Sequence, residues 1–416
     1  MTRRRSAHAL LTLAMAAPSI LAASQIASAQ CRYTAMFVAD YQCPGSWSEE
    51  AFVGTRINAH GTWAGYRRHC PPNDSVDVPV VCGFGETPVE LPLPPGVDNA
   101  QALGISDDGV VVGLVWPLQT YGAIWIGDRI EIIPPGPGGL DSVANAVNLS
   151  LQVAGTRGIG KQHVDSHVAF IWQDGVMTDI GPAGFFSSYA FDISNGGTVV
   201  GYMGSPSIDA RGFRWFRGKT CLLPPFEGAL TSVAYSVNDA GWIAGACRVA
   251  TPLGLAARPA LWIGSAPSKL SHEPGYKHTV ARAINNSNVI VGAASVPLDP
   301  GEIVSMVGLL WIDDARFRLQ DLVGPAPFYC FDAFDINDAG QILAVGSTPD
   351  AIGLCILTPI EPPLADLTGD CMVDGADLAA LLDAWGPGSP IADLNSDSQV
   401  DAKDLSILLG AWSTAR

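Results

Sequence analysis

Two stretches near the carboxy end carry oxygen ligands at a fixed spacing. Asp366, Thr368, Asp370, Met372, Asp374 and Asp377 occupy positions 1, 3, 5, 7, 9 and 12 of one loop, and Asp393, Asn395, Asp397, Gln399, Asp401 and Asp404 repeat them 27 residues later. Hard oxygens at this spacing, with a main-chain carbonyl at position 7, are the donor set that Ca²⁺ takes, so two Ca²⁺ ions are expected. Position 6, where glycine is usual, holds Cys371 and Ser398, which strains the turn. Thr368 is also a poorer ligand than Asp or Asn. Each loop needs an element to hold it. Leu378, Leu381, Leu382 and Trp385 lie at helical spacing after the first, and Leu405, Leu408, Leu409 and Trp412 follow the second at the same offset. Helices this short do not stand alone, so the two apolar stripes are expected to pack on each other.

The longer part of the chain is organised by a phrase that recurs seven times. It begins at Arg56-Ile57-Asn58-Ala59-His60-Gly61, continues at Gly104-Ile105-Ser106-Asp107-Asp108-Gly109, and returns around Asn148, Ser194, Asn238, Asn285 and Asn337, at steps of 48, 42, 46, 44, 47 and 52 residues. An apolar residue followed by Asn or Ser ends one strand, and the short polar side chain bonds the turn after it. Three residues on stands Gly in five copies, Asn288 in another and Leu151 in the last. Gly and Asn tolerate the left-handed backbone that closes a hairpin, so the turn at Leu151 is expected to differ. An apolar strand follows, closed by Gly in six copies and Ala344 in the seventh. Ala102, Ala144, Ala190, Ala234, Ala281 and Ala333 share one place before the Asn or Ser, which points to close backbone approach at a crowded axis. Trp125, Trp172, Trp215, Trp262 and Trp311 mark a second hairpin in five copies. Four short strands per unit of this length predict a seven-bladed β-propeller, with a solenoid as the rival that a period alone leaves open. The seventh unit lacks a fourth strand, and Arg32–Val38 is available to complete it and lock the ring.

No HExxH, GxSxG or phosphate loop ending in GKS or GKT is present, and Gly158-Ile159-Gly160-Lys161 is too short for the last. His163 and His167 are four apart, but in a stretch that reads as loop and strand. Arg56, Asp192, Ser236 and Asp335 precede the Ile or Val of the phrase and are expected near the channel. Asp192 and Asp335 are the one candidate acid and base pair for a glycan.

Composition narrows the partners. The chain has 23 Lys and Arg against 40 Asp and Glu, a net of -17. That balance disfavours nucleic acid and anionic membrane. Residues 1–29 run from Arg3-Arg4-Arg5 through an apolar stretch to Ala27-Ser28-Ala29, the order of a secretory signal, and no later segment is apolar enough to span a membrane. An exported chain can form disulfides, and short loops pair Cys31 with Cys43, Cys70 with Cys82, Cys221 with Cys247 and Cys330 with Cys355.

Residues 32–360 resemble the HAF-type extracellular repeat, most closely at His167-Val168-Ala169-Phe170-Ile171-Trp172. The resemblance implies a propeller-like secreted bacterial protein and supplies no shared catalytic residues. The last segment resembles a type I dockerin, which implies that Asp366, Thr368, Asp370, Asp374 and Asp377, then Asp393, Asn395, Asp397, Asp401 and Asp404, are the side-chain ligands. Dockerins that bind cohesins commonly carry Ser-Thr-like pairs at loop positions 10 and 11, where Gly375-Ala376 and Ala402-Lys403 stand here.

The expected organisation is thus a signal peptide at 1–29, a mainly β, seven-bladed propeller-like repeat domain at 30–362, and a small all-α calcium-loop domain at 363–416. The expected function is ligand or protein binding outside the cell, without catalysis. A cohesin-like or cell-surface protein and a glycan are the expected partners. A polysaccharide hydrolase or lyase carrying a dockerin is the alternative, and a purely structural cell-surface protein is a third.

Overall fold

The computed structural model describes residues 33–412 except 41–49, 70–75, 162–163, 182–186, 205–208, 253, 296–305, 314, 324–327, 350–351, 361–364, 369–372 and 388. The expected signal segment lies outside the described residues. None of the described helices is long and apolar enough to cross a membrane.

One compact unit spans Arg32–Ile360. It consists of seven four-stranded antiparallel sheets, six of them built from consecutive strands. The seventh sheet is completed by the amino-terminal strand Tyr33–Asp40, which pairs antiparallel with Ile352–Pro359. The ring is therefore closed by main-chain hydrogen bonds between the two ends of the unit, and the chain is a seven-bladed β-propeller rather than a solenoid. Strands near the axis are apolar on both faces because each blade packs against two others. Val111–Val115 is buried along its whole length, whereas the outer strand Val176–Asp179 has one half-buried residue and three exposed ones. The repeated tryptophans tie blades together: the indole N–H groups of Trp125, Trp262 and Trp311 donate to the carbonyls of Pro92, Pro224 and Ser271 in the preceding repeats.

The turn of the phrase is the same in all seven copies, including the one at Leu151. There the amides of Asn148 and Leu151 bond Gln152 O and Asn148 O as their counterparts do, and Leu151 itself adopts φ 55°. The expectation of a different turn at Leu151 is thus corrected. The ladder around it overrides the steric preference of one half-exposed side chain.

In every blade the innermost strand carries a β-bulge at one place, immediately after the repeated Ala (Gly54 in the first blade). The six repeated alanines are fully buried. Opposite six of the bulges stands the closing Gly of the phrase, and opposite the seventh stands Ala344. A Cβ on Gly113 would lie 1.9 Å from Gln101 O, and one on Gly201 would lie 1.8 Å from Tyr189 O. At Gly113 and Gly201 glycine is favoured by close approach of the main chain, not by its dihedral angles.

A second unit includes Glu361–Arg416. Its helices are Gly375–Asp383 and Ala402–Gly410. Each begins at a capping box in which the Asp at loop position 9 caps the helix and the Asp at position 12 reaches back to the cap N–H. A two-residue ladder between Gly386–Pro387 and Gln399–Val400 means that this unit is not purely helical. The stripes pack over only part of their width. Leu381 and Leu408 are buried with Val373, Leu394 and Val400, while Leu382, Trp385, Leu409 and Trp412 remain exposed.

The expected disulfides Cys221–Cys247 and Cys330–Cys355 are also corrected, while Cys31–Cys43 and the Cys70 end of Cys70–Cys82 lie outside the described residues. Among the described residues Cys82, Cys221, Cys247, Cys330 and Cys355 are free thiols, and Cys31, Cys43, Cys70 and Cys371 lie outside them. Cys330 and Cys355 sit on strands separated by a third, roughly 10 Å apart at the usual strand spacing, which is too far to bridge. Burial pushes the Cys247 thiol up to about 11 and the Cys355 thiol up to about 12.

Candidate functional site: the propeller channel

Of the residues two places before the Asn or Ser, Arg56, Gly104, Ala146, Asp192, Ser236 and Asp335 line the channel, and three of these six meet. Arg56 Nη1 lies 3.2 Å from Asp335 Oδ1, and Nη2 lies 3.7 Å from Asp192 Oδ1. The remaining carboxylate oxygens accept main-chain N–H groups from the next blade in the ring, Ile57 N to Asp335 Oδ2 and Val237 N to Asp192 Oδ2, both at 2.9 Å. Burial raises the pKa of Asp335, and Arg56 and the Ile57 amide oppose the rise. The structure thus brings Arg56, Asp192 and Asp335 to the channel as expected, and there joins them in a plug in which one guanidinium bridges two carboxylates. Ser236 makes a different contact, accepting from Ile284 N. Arg56 lines a cavity on either side of this plug.

The smaller cavity, 150 Å³, opens at the turn end. Two belts of side chains surround it. In the first, each Asn Oδ1 holds its own turn while Nδ2 reaches the next blade's carbonyl: Asn238 to Asn285, Asn285 to Asn337, and Asn337 to Asn58 across the closure at 2.8 Å. In the second, the residue after the Asn takes the corresponding amide of the preceding blade, as Asp239 does for Asn195 and Asp338 for Asn286. The sequence shows why these residues turn the chain. It does not show that they also link the blades.

The larger cavity, 580 Å³, opens at the other end. Its wall contains the seven bulged residues: Thr55, Leu103 and Asn145 from the first three blades, Phe191 and Tyr235 from the next two, then Arg282 and Phe334. A bulge removes its side chain from the pairing ladder and re-aims it, here towards the axis. A row of rings leads to this chamber. His167 stacks on Tyr189 at 5.1 Å, Tyr189 on Tyr202 at 4.9 Å, and Phe191 lies 5.5 Å from Tyr202 and 5.8 Å from Tyr235. Burial pushes the Tyr202 phenol up to about 12, and burial also raises Tyr235, with Arg282 and Arg248 opposing. Both hydroxyls therefore stay protonated at neutral pH. Arg282 bonds Asp332 Oδ2 at 2.8 Å. Sequence reasoning missed this chamber. Its signal was the place next to the constant Ala, where residue type varies from copy to copy.

In the second calcium-type loop the donors are arranged by the chain itself. Asp393 accepts from Asp397 N and Ser398 N, Asn395 Oδ1 from Asp397 N, and Asp397 Oδ1 from Gln399 N. Asp404 is fully buried, with Oδ1 accepting from Leu394 N and Asn395 N and Oδ2 from Asp401 N. Ser398, in the place of the usual glycine, takes φ 70°, the left-handed turn that the loop position demands. The loop already draws one cation, because Lys403 Nζ rests 2.6 Å from Asp397 Oδ2. These oxygens fit a hard cation in kind. Among the described residues, however, no three His, Cys, Asp or Glu side chains are grouped closely enough to hold a metal ion. In the first loop Asp377 repeats the arrangement of Asp404, accepting from Leu367 N, Thr368 N and Asp374 N, while Asp370, Cys371 and Met372 lie outside the described residues.

Strand order, closure and channel together define the class: a seven-bladed β-propeller. No protein-family model and no curated protein matches the chain. Among solved structures it is similar to the β-propeller domain of the Trilobed protease from Pyrococcus furiosus, described as having an open velcro topology. The TM-score is 0.50 at 10% identity, over 74% of this chain and 93% of that one. It also matches an acylaminoacyl peptidase from Pyrococcus horikoshii, with TM-score 0.48 and 9% identity, over 73% of this chain and 50% of that one. The Aleuria aurantia lectin in complex with Fucα1-6GlcNAc matches at TM-score 0.37 and 11% identity, over 65% of this chain and 94% of the lectin. At these identities the likeness is one of fold.

Proposed function

We propose that the chain is an exported binding protein, a non-catalytic propeller joined to a calcium-ordered, dockerin-like module for attachment or assembly. The observation that carries this reading is the plug. Among the described residues, Asp192 and Asp335 are the carboxylates that share Arg56 in the channel, and both are engaged by it and by main-chain N–H groups, while Asp107, Asp239 and Asp338 at the turn end each accept a main-chain N–H from the preceding blade. A hydrolase needs one carboxyl free to give a proton and one free to take it. The alternative of a polysaccharide-degrading enzyme is weakened accordingly.

Screening the purified chain against a glycan panel, for both binding and product release, tests the reading. Retention without product is expected. Product that disappears on Asp192→Asn or Asp335→Asn refutes it. For the small module, the ten side-chain oxygens named above and the carbonyls of Met372 and Gln399 would hold the two ions. Bound Ca²⁺ would draw the loop carboxylates together and fix the helices on them. Calorimetric titration with Ca²⁺ before and after chelation is expected to give heat for two ions, and none refutes the assignment. A cohesin-like or cell-surface protein is the expected partner of this module.

A further inference from the structure

We propose that the chamber at the bulged mouth receives the uncharged end of an oligosaccharide, an inference that rests on the binding reading above. The chamber's 580 Å³ is the size of a small-ligand site, within the usual range of about 300–1,000 Å³. Its two arginines already have carboxylate partners. Arg56 is held between Asp192 and Asp335, and Arg282 bonds Asp332. A charged ligand would have to displace one of these partners or be buried without one, which is costly. The ligand that fits therefore carries no formal charge.

It is not purely apolar either. Phe191, Phe334 and Leu103 offer hydrocarbon surface, but Tyr235 brings a hydroxyl, and Asn145 brings an amide whose Nδ2 is taken by Ala190 O at 2.7 Å. That leaves Asn145 Oδ1 as an acceptor and the Tyr235 hydroxyl as a donor. An apolar ligand would strip both of water and return nothing. A sugar ring satisfies the set, since its C–H face lies on the apolar wall while its hydroxyls meet the amide and the phenol. The aromatic row from Tyr235 through Phe191, Tyr202 and Tyr189 to His167 continues beyond the chamber across three blades. A chain of several sugars uses that row, and a single one does not.

The test is calorimetric titration of the full chain with neutral oligosaccharides, with uronate-bearing oligosaccharides, and with capped peptides. It is repeated on Asn145→Ala and Tyr235→Phe, with melting curves as the check on folding. Neutral oligosaccharides are expected to bind, longer ones more tightly, and each variant to lose about fivefold in affinity, Tyr235→Phe at an unchanged melting temperature and Asn145→Ala still folded but melting lower because it gives up the bond to Ala190 O. Neutral binding that both variants leave intact overturns the site while the binding reading stands. Preference for uronates or for peptides overturns the ligand class, and silence of the neutral set overturns the sugar assignment. The binding reading itself falls only if the glycan panel shows product release.

Discussion

Gly109 and Gly113 lie four residues apart in the second blade, and the structure predicts that adding one methyl group to each has different consequences. Gly109 has φ 85° and open space where a Cβ would stand. Gly109→Ala therefore pays only for the left-handed backbone, about 1–2 kcal/mol, partly offset by the lower chain entropy of Ala in the unfolded state. The net loss is about 1 kcal/mol. Gly113 needs no positive φ, but its Cβ would lie 1.9 Å from Gln101 O and 3.0 Å from Ala102 Cα. The obstacle is main chain, held by the bulge and by the neighbouring blade, and no rotamer can relieve it. Gly113→Ala should cost at least about 3 kcal/mol, the upper end of what overpacking usually costs. Denaturant unfolding followed by tryptophan fluorescence reads both, since Trp125 is buried in the same blade. The seventh blade supplies a control. Ala344 already stands where six blades have Gly, so Ala344→Gly should cost no more than about 1 kcal/mol. Equal losses for Gly109→Ala and Gly113→Ala would refute the account of the bulge.

Removing residues 30–43 should cost several kcal/mol, a large part of an ordinary domain's stability, because Ile352–Pro359 is left as an open edge; an unchanged melting curve would refute ring closure. Asn337→Ala removes both a turn bond and the link to Asn58 O, and should destabilise by about 2 kcal/mol in the same denaturant assay. The two units should respond to acid in opposite senses. In the propeller, burial raises Asp332 and Asp335, so the folded state binds protons more readily there, and this contribution weakens the fold as pH rises from the ordinary carboxylate value of 3.8 through the raised ones. In the small unit the Asp401 amide, with those of Asn395 and Leu394, lowers Asp404. Burial pushes Asp377 up, but the hydrogen bonds from Asp374, Thr368 and Leu367 outweigh it and leave it lowered. Their stabilisation is present above 3.8 and lost as pH falls through the lowered values. Helical ellipticity and tryptophan fluorescence, followed separately against pH, check the signs.

Much of the propeller is legible in the sequence because a ring of like blades writes its period into the chain. The Asn or Ser turn, the small Ala and the missing seventh strand each have a local chemical reason, and the structure uses all three. The bulge is not legible, because it is a property of register between two strands. Gln101, Ala102 and Leu103 look like three successive strand residues until Gly104 is seen to pair with Val112. Leu151 misleads for a related reason, since a turn that both of its strands enforce can hold a side chain that its own preference would exclude. The apolar stripes in the small unit show the limit of periodicity. Spacing identifies the faces of the helices, but Leu382 and Trp385 are exposed while Leu381 is buried, and only packing decides that.

The bulges have a consequence for how such a protein can change. At most positions of a propeller strand the side chain is wedged between two blades, and its replacement is tested first by folding. The bulged residues have left the ladder while the alanines and glycines around them hold the frame, and Leu103, Phe191 and Tyr235 escape that test, whereas Thr55, Asn145 and Arg282 also bond the next blade. Thr, Leu, Asn, Phe, Tyr, Arg and Phe occupy one geometric role here without disturbing it. Substitution at Leu103, Phe191 or Tyr235 can alter what the chamber accepts, one blade at a time, with little cost to the ring. Selection on the ligand and selection on the fold thereby meet chiefly at Thr55, Asn145 and Arg282.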